Sequence, residues 1–252
     1  MSRQLHVSPD KISIQLYTLR NLFAADLEGT MSALADIGYR KVEMAGTHGR
    51  SAAEFRRILD RNHLHATSSH VGIDGIDGID LDQAIADART LGNRRVVHPF
   101  SRFATIAEWQ EFAARLEAAG QAFRRAGVPL GYHNHAHEFV AIDGAAPYDV
   151  ITHGTSRRNV HLELDLYWAV AGEQDPVRVF VHNAGRVRQF HVKDRGPDGG
   201  FADLGEGTID FPRIFRATYP LEVDEYIVEN DDPVDALACA DTGFRYLRDI
   251  RF

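Results

Sequence analysis

The sequence predicts a (β/α)₈ barrel, the TIM-barrel fold, formed as a single domain over residues 1–252. Three observations predict it. Short β-branched or aromatic runs alternate with longer segments of helical period, the alternation repeats eight times until the chain ends at residue 252, and no break in composition divides it. An open doubly wound sheet is the structural alternative that the same pattern leaves open.

The predicted strands are short runs in which residues that favour extended backbone predominate. In chain order they are KISIQLYT, YRKVEMA, HLHATSSHV, RRVVHP, VPLGYHN, NVHLELDLYW, RVRQFHVKD and EYIVEND. The helical segments that follow them carry apolar residues at helical spacing, and several end on the glycine that a left-handed C-cap prefers. They are LEGTMSALADIG, SAAEFRRILDRN, DLDQAIADARTLG, AEWQEFAARLEAAGQAFRRAG, PYDVITHGT, DPVRVFVHNAG, IDFPRIFRATY and PVDALACADTGFRYLRDI.

Composition argues against several classes of partner. The formal charge is −8, with 28 Lys and Arg against 36 Asp and Glu, and clustered basic residues occur only in twos, which opposes a nucleic-acid surface. The single cysteine, Cys239, cannot form an internal disulfide, and the start of the chain has no apolar stretch of the secretory kind. No apolar run approaches the ~18 residues of a membrane span. We therefore expect a cytoplasmic protein with neither nucleic acid nor membrane as its partner.

In barrels of this type the chemistry lies at the C-terminal ends of the strands. Seven of the eight predicted strands end on a potential metal ligand or acid/base group. These groups are Glu43, His70, His98, His133 with His135, Asp165, His191 with Lys193, and Glu229. We expect them to converge on one mouth, with Glu43, His70 and His98 as substrate contacts, although a lone histidine such as His98 is more often structural.

Asp165, His191 and Glu229 end three consecutive predicted strands at the same depth. Alternation of side chains places Glu163 and Asp165 on one face of the sixth strand, and His191 and Lys193 on one face of the seventh. A mixed set of carboxylates and imidazoles without thiolates suits Mn²⁺, Co²⁺, Zn²⁺ or Mg²⁺. A buried network of ion pairs is the alternative interpretation.

The glycine-rich stretch GPDGGFADLGEG follows the seventh predicted strand. Barrels often hold phosphate near this position, but the stretch lacks the Lys and Ser/Thr of a phosphate-binding P-loop. We interpret it as a mobile loop over the mouth.

Five segments in this order, GVPLGYHNHAHEF, HLELDLYW, FHVKD, LGEGTIDF and YIVEND, resemble the xylose-isomerase-like barrel family. That family contains sugar isomerases, ketose 3-epimerases, inosose dehydratases and endonuclease IV. The resemblance covers nearly the whole chain from SIQLYTLR onward. It implies one divalent metal ion, with Mn²⁺ as first choice, held by an acidic residue of strand five together with Asp165, His191 and Glu229.

Strand five departs from the family pattern. Counting on from the helix-ending Gly127, the position where the epimerases carry a glutamate is His133, so the resemblance implies His133 as the fourth ligand and Glu138 as its competitor. Trp168 stands where those epimerases have a substrate-contacting histidine, which implies a pocket for another sugar. The YHNH form is more similar to the branch of inosose dehydratases and enzymes that act on keto-glycosides.

The resemblance implies a metal-dependent sugar isomerase or epimerase that abstracts a proton next to a carbonyl of a sugar or cyclitol. A lyase or dehydratase acting on keto-glycosides or inososes is the alternative, and an endonuclease IV-like phosphodiesterase or a regulatory sugar-binding barrel is more remote. Glu229 or Glu138 is the leading base, with His135 as supporting acid. We expect Lys193 to hold a substrate oxygen, unless it is a solvated lysine paired with Asp194. A homo-oligomer is left open.

Overall fold

The eight predicted strands pair in parallel and close into a barrel in the computed structural model, which describes residues 5–73, 80–221 and 223–252. The barrel strands are β1 Ile12–Gln15, β2 Lys41–Ala45, β3 His65–His70, β4 Arg95–His98, β5 Leu130–His133, β6 Val160–Asp165, β7 Val187–Val192 and β10 Glu225–Val228. Ile12 lies opposite Tyr226 and Ile14 opposite Val228, so the first and last barrel strands are joined. The (β/α)₈ prediction is confirmed and the open sheet is wrong.

Helices surround the barrel. They are α1 Arg20–Ile37, α2 Ala52–Arg61, α3 Leu81–Leu91, α4 Ile106–Arg125, α5 Pro147–Gly154, α6 Leu166–Ala171, α7 Pro176–His182, α8 Phe211–Thr218 and α9 Ala236–Asp249. Local signals set their starts: Ser51 and Thr105 each form a capping box with the glutamate three residues on, at α2 and α4. Within the described ranges, no helix is long and apolar enough to cross a membrane.

Several boundaries differ from the sequence prediction, among them the start of one helix and the end of one strand. Helix α1 begins at Arg20, before the predicted segment, and Asp26 interrupts its helical geometry. Strand β6 ends at Asp165, and the next residues, predicted as strand, form α6. The Asp165 carboxylate accepts a hydrogen bond from the Trp168 backbone N–H at 2.7 Å, so this side chain caps the helix and ends the strand.

The two faces of the barrel wall differ in polarity. Outward-facing side chains pack against helices, as where the Tyr132 ring lies 5.9 Å from Phe112 of α4. The inward face is polar and hydrogen-bonded: Gln15 donates to Glu43 at 2.8 Å, and Gln189 donates to the Ser68 hydroxyl at 3.0 Å. Buried polar groups are costly unless they are paired. The hydrogen bonds of this inner face therefore satisfy its polar groups and hold these side chains in place beneath the open end of the barrel.

The glycine-rich stretch forms a hairpin rather than a free loop. Strands β8 Asp194–Arg195 and β9 Phe201–Ala202 pair antiparallel. The Asp194 carboxylate accepts the backbone N–H groups of Gly205 at 3.0 Å and Gly207 at 3.1 Å. A Cβ at Gly207 would lie 2.2 Å from an Asp194 oxygen, which explains why glycine stands there. The interpretation as a mobile loop is therefore replaced by a hairpin organised around one carboxylate.

Candidate functional site

Neighbouring strands bring the predicted ligands to the open end of the barrel. Asp165 lies opposite His191 in the β6–β7 register, and His133 lies opposite Glu163 in the β5–β6 register. Glu229 follows β10 directly. We call His133, Asp165, His191 and Glu229 the ligand cluster.

His191 lies at the centre of the ligand cluster. Its Nδ1 is 2.6 Å from Glu229 Oε2, and its Nε2 is 2.7 Å from Glu43 Oε2 and 3.0 Å from Glu163 Oε1. The ligand atoms of Asp165, His191 and Glu229 all lie within 4.8 Å of one another. Burial alone would lower the pKa of His191, but the carboxylates of Glu163 and Glu229 raise it well above its usual value.

His133 is the strand-five side chain that faces this group. Its Nε2 is 3.8 Å from Asp165 Oδ2, and its Nδ1 is 3.1 Å from Glu163 Oε1. Two ligands placed about 2.1 Å from one ion lie roughly 3–4 Å apart, so the His133–Asp165 distance is that of a shared ion. Burial, reinforced by His191, lowers the pKa of His133 well below its usual value. The neutral imidazole that results is the form that binds a metal ion.

Two buried carboxylate oxygens beside these histidines accept no hydrogen bond: Asp165 Oδ2 and Glu163 Oε2. The Lys193 ammonium lies 3.1 Å from Asp165 Oδ2, a charge contact without hydrogen-bond geometry. Burial raises the pKa of Asp165 to about 6. A cation would satisfy such oxygens, and carboxylates with imidazoles suit a divalent metal ion. The residues of the ligand cluster therefore fit a divalent metal ion.

The charges of the site lead to the same conclusion. Five carboxylates gather in and beneath the ligand cluster, namely Glu43, Glu163, Asp165, Glu229 and Asp231. In the part of the chain that the structure describes, Lys193 is the lysine or arginine side chain that forms ion pairs with them. The raised pKa values of His70 and His191 add two positive charges, and a divalent cation would offset the negative charge that remains.

Lys193 points into the mouth. Its Nζ lies 2.8 Å from Glu229, 2.9 Å from Asp231 and 3.1 Å from Asp165, and its side chain is 2% exposed. Burial would lower the pKa of Lys193, but these three carboxylates outweigh it and raise the pKa above its usual value. The lysine is therefore charged. The alternative of a solvated lysine paired with Asp194 is wrong, because Asp194 accepts backbone N–H groups of the following loop.

His70 and Glu43 support the ligand cluster from the side and from below. His70 Nε2 lies 2.7 Å from Glu163 Oε1 and 3.0 Å from Glu43 Oε2, and its ring stacks on that of His191 at 5.2 Å. Burial would lower the pKa of His70, but Glu43 and Glu163 raise it to about 10. Glu43 is fully buried and contacts His191 rather than open space. The predicted role of Glu43 as a substrate contact is therefore replaced by a contact with His191, a member of the ligand cluster.

Glu138 lies apart from the ligand cluster. Its Oε1 accepts the Tyr132 hydroxyl at 2.8 Å, and its Oε2 accepts the His135 backbone N–H at 2.8 Å. Tyr132 faces the helices, so the carboxylate is held on the outer side of the mouth. Burial raises the pKa of Glu138 to about 7. This placement favours His133 over Glu138 as the strand-five ligand, and does not present Glu138 as a base.

His98 shares the outer face of the wall with Tyr132, its partner in the β4–β5 register. Its Nε2 is 2.8 Å from the Phe100 carbonyl oxygen and 2.9 Å from the Ser101 hydroxyl. Burial lowers the pKa of His98 to about 4, so the ring is neutral. The predicted substrate contact is not supported here, because the side chain faces helix α4 and its own loop.

His135 and Trp168 form one wall of the mouth, with ring centroids 5.2 Å apart. The Trp168 ring also lies 5.4 Å from Lys193 Nζ. Both rings keep a buried nitrogen without a hydrogen-bond partner, Nδ1 of His135 and Nε1 of Trp168. Burial, with Lys193 second, lowers the pKa of His135 to about 3, so that imidazole is neutral.

A cavity of about 410 Å³ opens beside the ligand cluster. Its lining consists of Tyr17, Ala45, His70, Pro99, Phe100, His133, His135, Lys193, Glu229 and Asp231. Sequence reasoning missed Tyr17, Phe100 and Asp231 in this lining, and Glu163 in the support beneath it. Asp231 and Glu163 had a signal, since one ends the last predicted strand segment and the other shares the face of Asp165. The two aromatic residues had none.

Comparison with known proteins agrees with this architecture. Residues 31–228 match the xylose isomerase-like TIM barrel family, and the chain belongs to that family. It is 23% identical to an inosose dehydratase of Geobacillus kaustophilus, over 82% of this chain and 80% of the relative. It is 28% identical to the rhizopine catabolism protein MocC of Rhizobium meliloti, over 75% of this chain and 70% of the relative.

A solved structure described as a sugar phosphate isomerase/epimerase from Parabacteroides distasonis superposes with a TM-score of 0.84. The match is 24% identical and covers 96% of this chain and 94% of that one. At this identity the likeness establishes the shared barrel fold.

Proposed function

We propose that this chain is a divalent-metal-dependent enzyme that abstracts a proton next to a carbonyl of a sugar or cyclitol. The observation that carries the proposal is the ligand cluster, with two imidazoles and two carboxylates converging beside a cavity and a buried, charged Lys193. We assign one metal ion per chain, with Mn²⁺ as first choice. A bound divalent cation would act as a Lewis acid toward carbonyl and hydroxyl oxygens of the substrate.

We assign Glu229 as the base and Lys193 as the donor to the substrate. Burial would raise the pKa of Glu229, but Lys193 and His191 hold it well below its usual value, so the carboxylate is ionised, the form in which a general base must start. The C–H electron pair then forms a carbon–carbon double bond, and negative charge moves to the former carbonyl oxygen. A charged donor such as Lys193 stabilises that oxygen.

We assign His135 as the supporting acid of the return step; its neutral imidazole must first take up a proton from solvent before it can give one to carbon. It lines the cavity, and its buried Nδ1 has no partner within the protein. Glu138 accepts the backbone N–H of His135, so we assign Glu138 as a positioning residue that fixes this stretch of chain. Return of the proton to the opposite face gives an epimer, and return to the neighbouring carbon gives an isomer, which makes a sugar isomerase or epimerase the first candidate.

A lyase or dehydratase acting on a keto-glycoside or inosose is the second candidate. In that reaction the same proton is removed, but the C–O bond on the next carbon breaks, and the departing oxygen takes a proton from His135 in its protonated form. His133 favours this candidate, because β5 supplies an imidazole where the resembling epimerases use a second proton-shuttling carboxylate. The similarity to an inosose dehydratase over 82% of this chain supports it as well.

The test is turnover in deuterated water by the metal-loaded protein, offered a ketose, an inosose and a 3-keto-glucoside. An isomerase or epimerase is expected to place deuterium at a single carbon, whereas a lyase releases water or an alcohol and forms a conjugated enone that absorbs in the ultraviolet. Asp165→Asn is the control that should lose the metal and both signals. If the metal-loaded protein gave neither signal but cut abasic-site DNA, the carbohydrate assignment would be wrong. If it bound a sugar without turnover, the protein would be a regulatory sugar-binding barrel.

A further inference from the structure

Two aromatic side chains at the rim of the cavity have no role in the proposed chemistry. Tyr17 is 43% exposed and Phe100 is 50% exposed, yet both line the cavity that contains Lys193 and Glu229. Tyr17 follows β1 and Phe100 follows β4, so they stand on separate strand ends around one opening. Exposed aromatic groups beside a polar site mark a surface for an apolar group of a ligand.

Both rings are held in place by other side chains. The guanidinium carbon of Arg20 lies 3.9 Å from the Tyr17 ring centroid, and Arg20 is itself anchored on the carbonyl oxygens of Tyr17 at 2.8 Å and Asp231 at 2.7 Å. The Phe100 ring meets the His135 ring edge-on at 5.1 Å. A ring that is already oriented loses little conformational entropy when a ligand packs on it. The Tyr17 and Phe100 rings are therefore already oriented for a ligand to pack on them.

From the exposure and the orientation of these two rings we propose that the rim formed by Tyr17 and Phe100 is a subsite for a second ring of the substrate. This inference rests on the proposed function, because the reacting keto-sugar ring must lie over the ligand cluster. The second ring, a sugar or an aryl group, then extends outward and packs its flat apolar face on the two aromatic side chains. Tyr17 and Phe100 are specificity-determining residues of the site.

The test compares kcat/KM for phenyl, glucosyl and methyl 3-keto-glucosides. We expect kcat/KM for the phenyl or glucosyl substrate to exceed that for the methyl one. Phe100→Ala and Tyr17→Ala should each lower the ratio of ring-bearing to methyl substrate by about 10-fold, the scale of one aromatic contact. Tyr219→Ala is the matched control, since Tyr219 is 46% exposed on the connection before β10, at the other end of the barrel; its ratio should equal that of the wild type.

Equal ratios in the wild type and both rim variants would overturn the subsite. A larger kcat/KM for the glucosyl substrate would identify the second ring as a sugar, and a larger kcat/KM for the phenyl substrate would identify it as an aryl group. If monocyclic keto-sugars exchange deuterium but no second ring improves kcat/KM, this inference fails while the proposed function stands. If no keto-sugar exchanges or eliminates with metal bound, the proposed function itself has failed.

Discussion

Replacing Lys193 with methionine keeps most of the length of the buried side chain and removes its charge. The ammonium group contacts carboxylates of Glu229, Asp231 and Asp165 at 2.8, 2.9 and 3.1 Å. At an effective dielectric constant of about 20, each contact near 3 Å is worth about 5 kcal/mol before desolvation is subtracted. Removal of one partner from a buried ion pair costs about 3–5 kcal/mol net, so we expect metal-free Lys193→Met to lose stability on that scale.

A bound divalent cation would neutralise two of the same carboxylates, so the loss should be smaller in the metal-loaded variant. We therefore expect the metal to raise the Tm of Lys193→Met by more than it raises that of the wild type, with metal content unchanged. Turnover should nevertheless fall by about 10²-fold or more, the scale for losing one donor to a developing oxyanion. Thermal unfolding with and without chelator, elemental analysis and kcat at saturating metal measure these three quantities. If metal-free Lys193→Met had wild-type stability and the metal-loaded variant had wild-type turnover, Lys193 would neither balance the buried carboxylates nor donate to the substrate.

Further changes test the surroundings of the ligand cluster. Glu138→Gln should keep its metal ion, because the carboxylate bonds to Tyr132 and His135 rather than to a ligand; loss of metal on elemental analysis would restore Glu138 as the fourth ligand. The pKa of Glu138 is raised by burial from 4.5 to about 7, so its contribution to stability is complete below pH 4.5 and lost as pH rises through about 7. Across that window the free energy of unfolding of the wild type, from urea titrations, should fall relative to the variant by up to about 3 kcal/mol; parallel pH curves would contradict this. Glu43→Gln should weaken metal binding by about 10–100-fold, as measured by competition with a chelating dye, because Glu43 orients His191 at 2.7 Å; unchanged affinity would show that Glu43 does not act through His191.

The barrel and the convergence of Asp165, His191 and Glu229 could be predicted because both depend on local period. Strand-end groups of consecutive parallel strands must meet at one end of a closed barrel, and alternation alone places Glu163 beside Asp165 on the inner face of β6. The order of segments then identified the family, which the match over residues 31–228 confirms. These features need no knowledge of how distant segments pair.

Features that depend on register or on loop direction could not be predicted. His98 was expected at the mouth, but its pairing with Tyr132 puts it on the outer face, and a shift of one residue decides that outcome. Glu138 lies in a turn whose direction is set by a bond to Tyr132. The contact of Glu163 with His70, 93 residues away in the chain, could not be predicted either, because no local pattern reports it.

Elemental analysis of chelator-free protein, purified as wild type and as Asp165→Asn, measures directly whether His133, Asp165, His191 and Glu229 hold one divalent cation. We expect about one equivalent of a divalent metal, Mn²⁺ first, in the wild type and a loss of it in Asp165→Asn, with Glu138→Gln retaining the wild-type amount. Wild-type metal content in Asp165→Asn would show that these four residues do not hold the ion, and two or more tightly bound zinc ions per chain would favour a phosphodiesterase instead.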